Sequence, residues 1–345
     1  MGRQAADGTD ANRARGLSVI SANISWSWRQ ALFGAVISVI GATVIAFGQV
    51  HTGLGLLFGA LPAAIVGLGP TRRQRLRILI MGVLFGVFLL AGSVLAQWPV
   101  IAVLGMFALA LGASLLASQR PLGLLALSLC VPLAGIGLSY AGVNSSLGFV
   151  AAIIGGSIVA YLLSMAFPEY TAAPRPRPSL MSRPEAWDYG IRLGLAAAVA
   201  SGIGFATRIE HVGWITGATL LVMRPSKDMQ ELRSIGRVIS VIVGAIAASW
   251  LLTLNLSPIP VAIIGTITVI AAAATSASRW YVTPAFTTFL VFWALLYGKT
   301  GSGGVEHRFF ERVLETILGV GIAYFFGLLI PWIRTRTARR TADAA

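Results

Sequence analysis

From Arg29 to Trp332 the chain alternates long apolar runs with short polar breaks. A helix needs roughly 20 apolar residues to cross the hydrocarbon of a bilayer. Twelve runs approach that length, at about 30–48, 53–69, 78–96, 100–117, 121–140, 147–167, 190–206, 211–223, 238–256, 259–278, 280–298 and 309–332. The stretch PEYTAAPRPRPSLMSRPEAWD, 168–188, holds five prolines and splits them into two sets of six. The pattern predicts an all-α polytopic membrane protein of about twelve spans. A polar, disordered cytoplasmic tail covers 1–25 and a first six-helix repeat 26–167. After the 168–188 linker come a second six-helix repeat over 189–333 and a basic cytoplasmic tail over 334–345.

The two sets echo each other. GGSIVAYLLSMAFP (155–168) and LGVGIAYFFGLLIP (318–331) share Gly156/Gly319, Ala160/Ala323, Tyr161/Tyr324 and Pro168/Pro331. Arg75 and Gly82 match Arg237 and Gly244, and His51 and Gly53 match His211 and Gly213, at nearly the same spacing. An ordered series of matches points to duplication. Halves with an even number of spans insert the same way up, which makes them parallel repeats about an axis along the membrane normal, with a pathway between them. The second run of each half is unusual. GLGLLFGALPAAIVGLGP is interrupted by Pro62 and several glycines, and HVGWITGATLLVM is barely long enough to cross. Short or interrupted segments at matching positions are the best sequence pointer to a transport site.

Composition agrees with this class. Of 345 residues 56% are hydrophobic and 11% charged, with mean hydropathy +0.81; a soluble domain carries about a quarter charged residues. The net charge of +14 would suit nucleic acid, but the placement of the basic residues gives them another role. All 26 Lys and Arg except Arg208, Lys299, Arg308 and Arg312 fall on the side that holds both termini. Positive charge marks the cytoplasmic side, so both termini lie inside, and MRPSKDMQELRSIGR (223–237) is a cytoplasmic hairpin. Nucleic-acid binding has little left to explain. Trp26, Trp28, Trp98, Trp187, Trp280 and Trp332 fall at the interfaces, where amphipathic rings settle, whereas Trp214 and Trp293 lie within spans.

The chemistry-bearing residues are few. Cys130 is single and sits in an apolar run, and His51, His211 and His307 show no metal-ligand spacing. No metal site, cofactor or enzyme is expected. No Asp or Glu occurs between Asp10 and Glu169, whereas a cation carrier would line its path with acids. Arginines stand near the cytoplasmic ends instead: Arg29, Arg75 and Arg77 in one half, Arg192, Arg224 and Arg237 in the other. Guanidinium grips carboxylates bidentately, and two such clusters facing one axis would form a cationic inner mouth for small organic anions; arginines at helix ends also simply snorkel toward headgroups. On the last run Arg308, Glu311, Arg312 and Glu315 share one helical face. An ionisable residue at that depth is a functional hypothesis by default. Glu315 with Arg312, Glu311 and His211 is therefore the expected proton-coupling site or gate; an intrahelical ion pair near a helix start is the plainer reading.

HVGWITGATLLVMRPSKDMQELRSIGRVISVIVGA resembles the signature of the fusaric-acid-resistance family of bacterial inner-membrane proteins, through Trp214, Thr216, Pro225 and Arg237. RVLETILGVGIAYFFGLLIP resembles the family's second block through Arg312, Thr316, Gly319 and Pro331. Ser240-Val241 stands where the family has Gly-Thr. The resemblance implies an inner-membrane exporter of aromatic or other organic acids, with Arg192, Trp214, Thr216, Arg224, Arg237, Arg75 and Arg77 as candidate substrate contacts. Membrane lipid and a second copy in a homo-oligomer are the further expected partners. A passive anion channel, a carrier of the major-facilitator kind (GLGPTRRQRLR echoes that superfamily's basic loop) and a non-transporting envelope scaffold are the alternatives.

Overall fold

The computed structural model describes residues 25–171, 180–207, 209, 211–225, 227–276, 278, 282–297, 302–333 and 336. Among them every element is helical. In chain order these are α1 (Trp28–Ala46), α2 (Val50–Val66), α3 (Arg72–Leu95) and α4 (Pro99–Ala117). Next, α5 joins Pro121–Leu125, a π-helical turn Ala126–Cys130 and Val131–Gly137; α6 (Val143–Ser164), α7 (Arg183–Thr207) and α8 (Gly213–Val222) follow. Last come α9 (Lys227–Thr253), α10 (Pro258–Ala274), α11 (Val282–Leu296) and α12 (Ser302–Tyr324), which continues through a π-helical turn at Phe325–Leu329. Each apolar run of the sequence falls on a helix. By length and composition seven of the described helices can cross a membrane: α1, α3, α4, α6, α7, α9 and α12. The protein is an all-α, multi-pass membrane protein.

Three expectations change in the structure. The 168–188 linker is shorter, because α7 already begins at Arg183. Ser182 and Glu185 form a capping box there: Ser182 N donates to Glu185 Oε2 at 2.9 Å and Glu185 N to Ser182 Oγ at 3.4 Å. Satisfying two orphan donors in this way starts a helix, and Pro184 fits the first turn, where no N–H is needed. Helix α2 is not broken at Pro62 but runs through it to Val66. One missing hydrogen bond does not stop a helix whose Pro62, Ala63 and Ala64 are all buried. Helix α2 ends instead at Gly67, whose φ of +74° suits glycine. Third, the two sequence halves interlock rather than stand side by side. The most extensive packing joins α4 to α7 and α1 to α10.

Small residues allow that exchange. A Cβ on Gly34 of α1 would come within 2.9 Å of Ala273 Cβ on α10, and one on Gly194 of α7 within 2.7 Å of the Phe107 ring on α4. Lipid supplies no hydrophobic drive between helices, so close backbone approach has to hold them. One apolar core unites α1, α2, α10 and α11, among them Phe33, Leu57, Val269 and Trp293. A second unites α4, α5, α7 and α8, with Met106, Ala134, Leu193 and Leu220. Trp214 and Trp293 are buried, while Trp26, Trp28, Trp98, Trp187 and Trp332 are exposed, as interfacial rings should be; Trp280 lies outside the described residues.

Arg75 secures the first turn of α3. It is fully buried, and its guanidinium donates to the carbonyls of Gly69 (3.0 Å), Ser164 (2.6 Å), Phe167 (2.8 Å) and Pro168 (2.8 Å). Those carbonyls lie at the end of α6 and in the loop before α3, where the helix itself offers no donors. Replacing Arg75 with Leu leaves several of them unpaired, and a loss of about 3 kcal/mol or more follows from charge-assisted bonds of this kind. Thermal unfolding of the purified protein in detergent checks this: a clear drop in Tm is expected.

Candidate functional site

The candidate substrate contacts do not form one cationic ring. Arg75 is consumed as described. Arg77 is exposed beside Leu76 and Ile80 on the outer face of α3, a snorkelling position. Arg29 stacks on Tyr170, 3.8 Å from its ring centroid. Arg192 of α7 pairs with Asp188 at 2.7 Å and reaches Gly327 O, exposed by the π-turn of α12, at 3.4 Å. Arg224 is buried after α8, with Nη1 donating to Leu220 O (3.2 Å) and Met223 O (2.6 Å). The Met223 carbonyl also accepts from Tyr189 (3.0 Å). Arg75, Arg192 and Arg224, expected at a cationic mouth, are instead tied to backbone carbonyls at the start of α3, in α7 and after α8.

Arg237 differs because of its register. It is the eleventh residue of α9, whereas Arg75 is the fourth residue of α3. The fourth residue of α9 is Gln230, fully buried, whose Nε2 donates to Ala323 O on α12 at 2.7 Å. Gln230 thus does for α9 what Arg75 does for α3, and the sequence match of Arg75 to Arg237 is displaced by two turns. On α3 the eleventh residue is Gly82, packed so tightly on Ser157 of α6 that a Cβ would collide with it. Where one half closes on glycine, the other carries a guanidinium about 15 Å along its helix.

Arg237 is close enough to Arg312 of α12 for their charges to act on each other. Arg312 is 6% exposed and lies flat over Trp214 of α8, its Cζ 3.5 Å from the ring centroid. Its Nη1 reaches Glu315 Oε2 at 3.4 Å, and Glu315 is 2% exposed. Glu311, half-buried, and Tyr140, in the turn after α5, are also within electrostatic reach of Arg312. The register between α8 and α12 is fixed one turn further along. A Cβ on Gly319 would come within 2.7 Å of Ala218 Cβ, and Thr219 Oγ1 donates to Gly319 O at 3.1 Å. Thr216, fully buried, is thereby at the level of Glu315 and Thr316, with its methyl group toward Gly135 of α5. His211 sits half-buried just before α8, and its carbonyl accepts from Trp214 N at 3.0 Å. The side chain of Arg308 lies outside the described residues.

Several polar atoms of this cluster are buried without a hydrogen-bond partner: Arg237 Nε, Arg312 Nε, Glu315 Oε1 and Thr216 Oγ1. Each such atom costs about 1–3 kcal/mol, and no water enters hydrocarbon to relieve it. Buried polar atoms left in this state are rare in folded proteins, and an ionisable group within a span marks a candidate site. It unites residues from both segments singled out above as signature blocks.

Residues 197–326 are similar to the fusaric acid resistance protein-like domain. Comparison with curated proteins and with solved structures finds no match. The fusaric acid resistance protein-like domain supplies Trp214, Thr216, Arg237, Arg312 and Glu315. Tyr140 and Arg192 lie outside it, and so do the clamped Arg75 and the exposed Arg77. Ser240-Val241 of the domain packs inward: both residues are buried, and Ser240 Oγ donates to Gly236 O at 2.6 Å. Sequence reasoning missed Gln230, which only its place in the helix could have flagged, and Tyr140, which no pattern marks.

Removing one member of a buried ion pair strands the other. Arg312→Met is expected to destabilise the protein by about 3–5 kcal/mol, and Arg312→Met with Glu315→Leu by much less, since an apolar pair can replace a buried ionic one. Unfolding of the single and double variants in one detergent measures the difference; equal losses would mean that the two side chains do not sense each other.

Proposed function

We propose that the protein exports organic anions, aromatic carboxylates among them, across a bacterial inner membrane, with proton coupling at Glu315. The observation that carries this reading is the pair Arg237 and Arg312. Two guanidinium groups lie within the membrane-spanning helices, each with an unpaired Nε, beside the Trp214 ring. A carboxylate supplies the acceptors both lack, in the geometry that guanidinium prefers, and an attached ring finds an aromatic neighbour. Glu315 is the counter-charge already in place, and protonating it would release Arg312 to a substrate. The shared chemistry of the family implied by the matched domain supports the same reading, as a likeness of fold and sequence and no more.

The architecture we propose with it is twelve spans in two parallel repeats, with both termini cytoplasmic. Charge segregation along the sequence supports the orientation. Packing supports the repeat: the first helix of each half lies on the fourth of the other (α1 on α10, α7 on α4), and the second lies on the sixth in both halves (α2 on α6, α8 on α12). Those last two contacts centre on corresponding positions. A Cβ on Gly156 would collide with the backbone of Gly59, and one on Gly319 would meet Ala218 and Thr219. Helix α8 spans ten residues, about 15 Å at 1.5 Å per residue. A segment this short, at the position matching the glycine-rich α2, is the kind of element that lines a transport route.

Flux of a panel of aromatic and aliphatic carboxylates from proteoliposomes, with and without a pH gradient, tests the reading. Arg237→Ala should insert normally and lower flux by about tenfold or more, as loss of a buried charged partner does. Unchanged flux would remove Arg237 from the mechanism. Glu315→Gln should keep flux but lose its response to the gradient; a wild type indifferent to the gradient would instead be a passive channel. A protein with no carboxylate flux at all would be a scaffold.

A further inference from the structure

Four arginines where α1 and α3 begin are far more open than the pair at Arg237 and Arg312. Arg29 on α1 and Arg72, Arg73 and Arg77 on α3 are all exposed. Among the described residues none of the four is paired with a carboxylate. The sequence gives a reason: no Asp or Glu occurs between Asp10 and Glu169. Glu169 directs its carboxylate to the backbone, where Oε1 accepts from Arg72 N at 2.7 Å. The next residue, Tyr170, lies under Arg29, with 3.8 Å from Cζ to the ring centroid, and its N donates to Pro70 O at 3.0 Å. The Glu169–Tyr170 segment thereby holds the start of α1 beside the start of α3. Arg75 is fully buried behind the patch and bonded only to neutral carbonyls, so its charge adds to the field of the other four.

Helix register turns this patch toward lipid. Arg73, Leu76, Arg77, Ile80, Val83 and Val87 fall on one face of α3, and all six are exposed. The opposite face, with Met81, Phe85 and Leu89, shares an apolar core with Cys130 of α5 and with Val150 and Ile153 of α6. The open face therefore carries charge at its first turns and aliphatic side chains below, in the order of a headgroup above an acyl chain. Trp26 and Trp28, exposed and edge-on to each other at 5.6 Å, flank Arg29 with rings of the kind that settle at headgroup level. The other half lacks this imbalance. The start of α9, KDMQELR (227–233), interleaves Asp228 and Glu231 with its basic residues, and Arg192 is paired with Asp188. Snorkelling by itself gives no reason for acids to be absent from one half and present in the other.

We propose that the starts of α1 and α3 form a binding surface for an anionic phospholipid. Its phosphate is held by Arg73 and Arg77, with Arg29 and Arg72 at the edges, and an acyl chain lies along Leu76, Ile80, Val83 and Val87. Residues four apart on a helix stand about 6 Å from each other, so both guanidinium groups can reach one phosphate, whose oxygens they match bidentately. Basic residues clustered beside a membrane span recognise anionic headgroups in this way. A zwitterionic lipid would bring an ammonium group into the same field and lose by it. A free phosphate would carry the charge but use none of the apolar face. The surface lies on helices other than those of Arg237 and Arg312 and does not depend on the anion-export reading.

Native mass spectrometry of the full-length protein in detergent, titrated with phosphatidylglycerol or phosphatidylcholine of the same acyl chains, reads the bound lipid directly. The wild type should retain phosphatidylglycerol in preference. Arg73→Gln combined with Arg77→Gln should weaken phosphatidylglycerol binding about tenfold or more and leave phosphatidylcholine unchanged. Arg73→Lys with Arg77→Lys, which keeps the charge, should retain most of the preference. Arg120→Gln, which removes an exposed charge between α4 and α5, should change nothing. These side chains are all exposed, so the variants are expected to fold. No preference in the wild type overturns the proposal, and so does an equal loss in Arg120→Gln, which would mean that net charge alone attracts the lipid. Displacement of phosphatidylglycerol by millimolar glycerol phosphate overturns it as well, since the apolar face would then contribute nothing.

Discussion

A polar group inside hydrocarbon has no water to fall back on, so each must find its partner within the protein. The same residue type meets this constraint in two opposite ways here. Arg75 is fully buried and fully occupied, its donors divided among four carbonyls at helix ends. Arg237 and Arg312 are enclosed and incompletely occupied. The first arrangement lowers the energy of the fold, and the second raises it. An ionisable group of the second kind within a span is a functional hypothesis by default.

The interlocking of the two halves decides where that incomplete site can exist. Because α4 packs on α7 and α1 on α10, the turn after α5 in the first half is brought against the start of α8 in the second. In the N-terminal half, Gly82 lies against Ser157 and Gly59 against Gly156, which closes α2, α3 and α6 on one another. The C-terminal half keeps its glycine contact at Gly319 but carries Arg237 at the helix position that Gly82 holds on α3. Two guanidinium groups cannot approach as two glycines do, so α9 and α12 carry the charge that α3 and α6 exclude.

The legible part of the site was the part written as charge. Arg237, Arg312, Glu315 and Trp214 stand out in an apolar sequence, and helical spacing by itself puts Glu311, Arg312 and Glu315 on one face. Arg75 stands out equally and does something else, because helix register, and not residue type, determines whether a guanidinium meets free carbonyls or another cation. The capping box at Ser182 and Glu185 was also readable, but the proline-rich composition around it suggested a longer linker. The placement of Tyr140 near Arg312 was invisible, because it depends on a turn held by Ser93 and Ser139, residues far from Arg312 in the chain.

The sequence alone determined that this is a helical membrane protein and where its helices run, because lipid imposes apolar length one segment at a time. Only the tertiary structure decided that α1 packs on α10 and α7 on α4, that Arg75, Arg192 and Arg224 bind backbone carbonyls, and that Arg312 lies over Trp214 within electrostatic reach of Arg237. Those facts depend on which small residues let helices touch and on the register in which they do so. Hydropathy does not encode either.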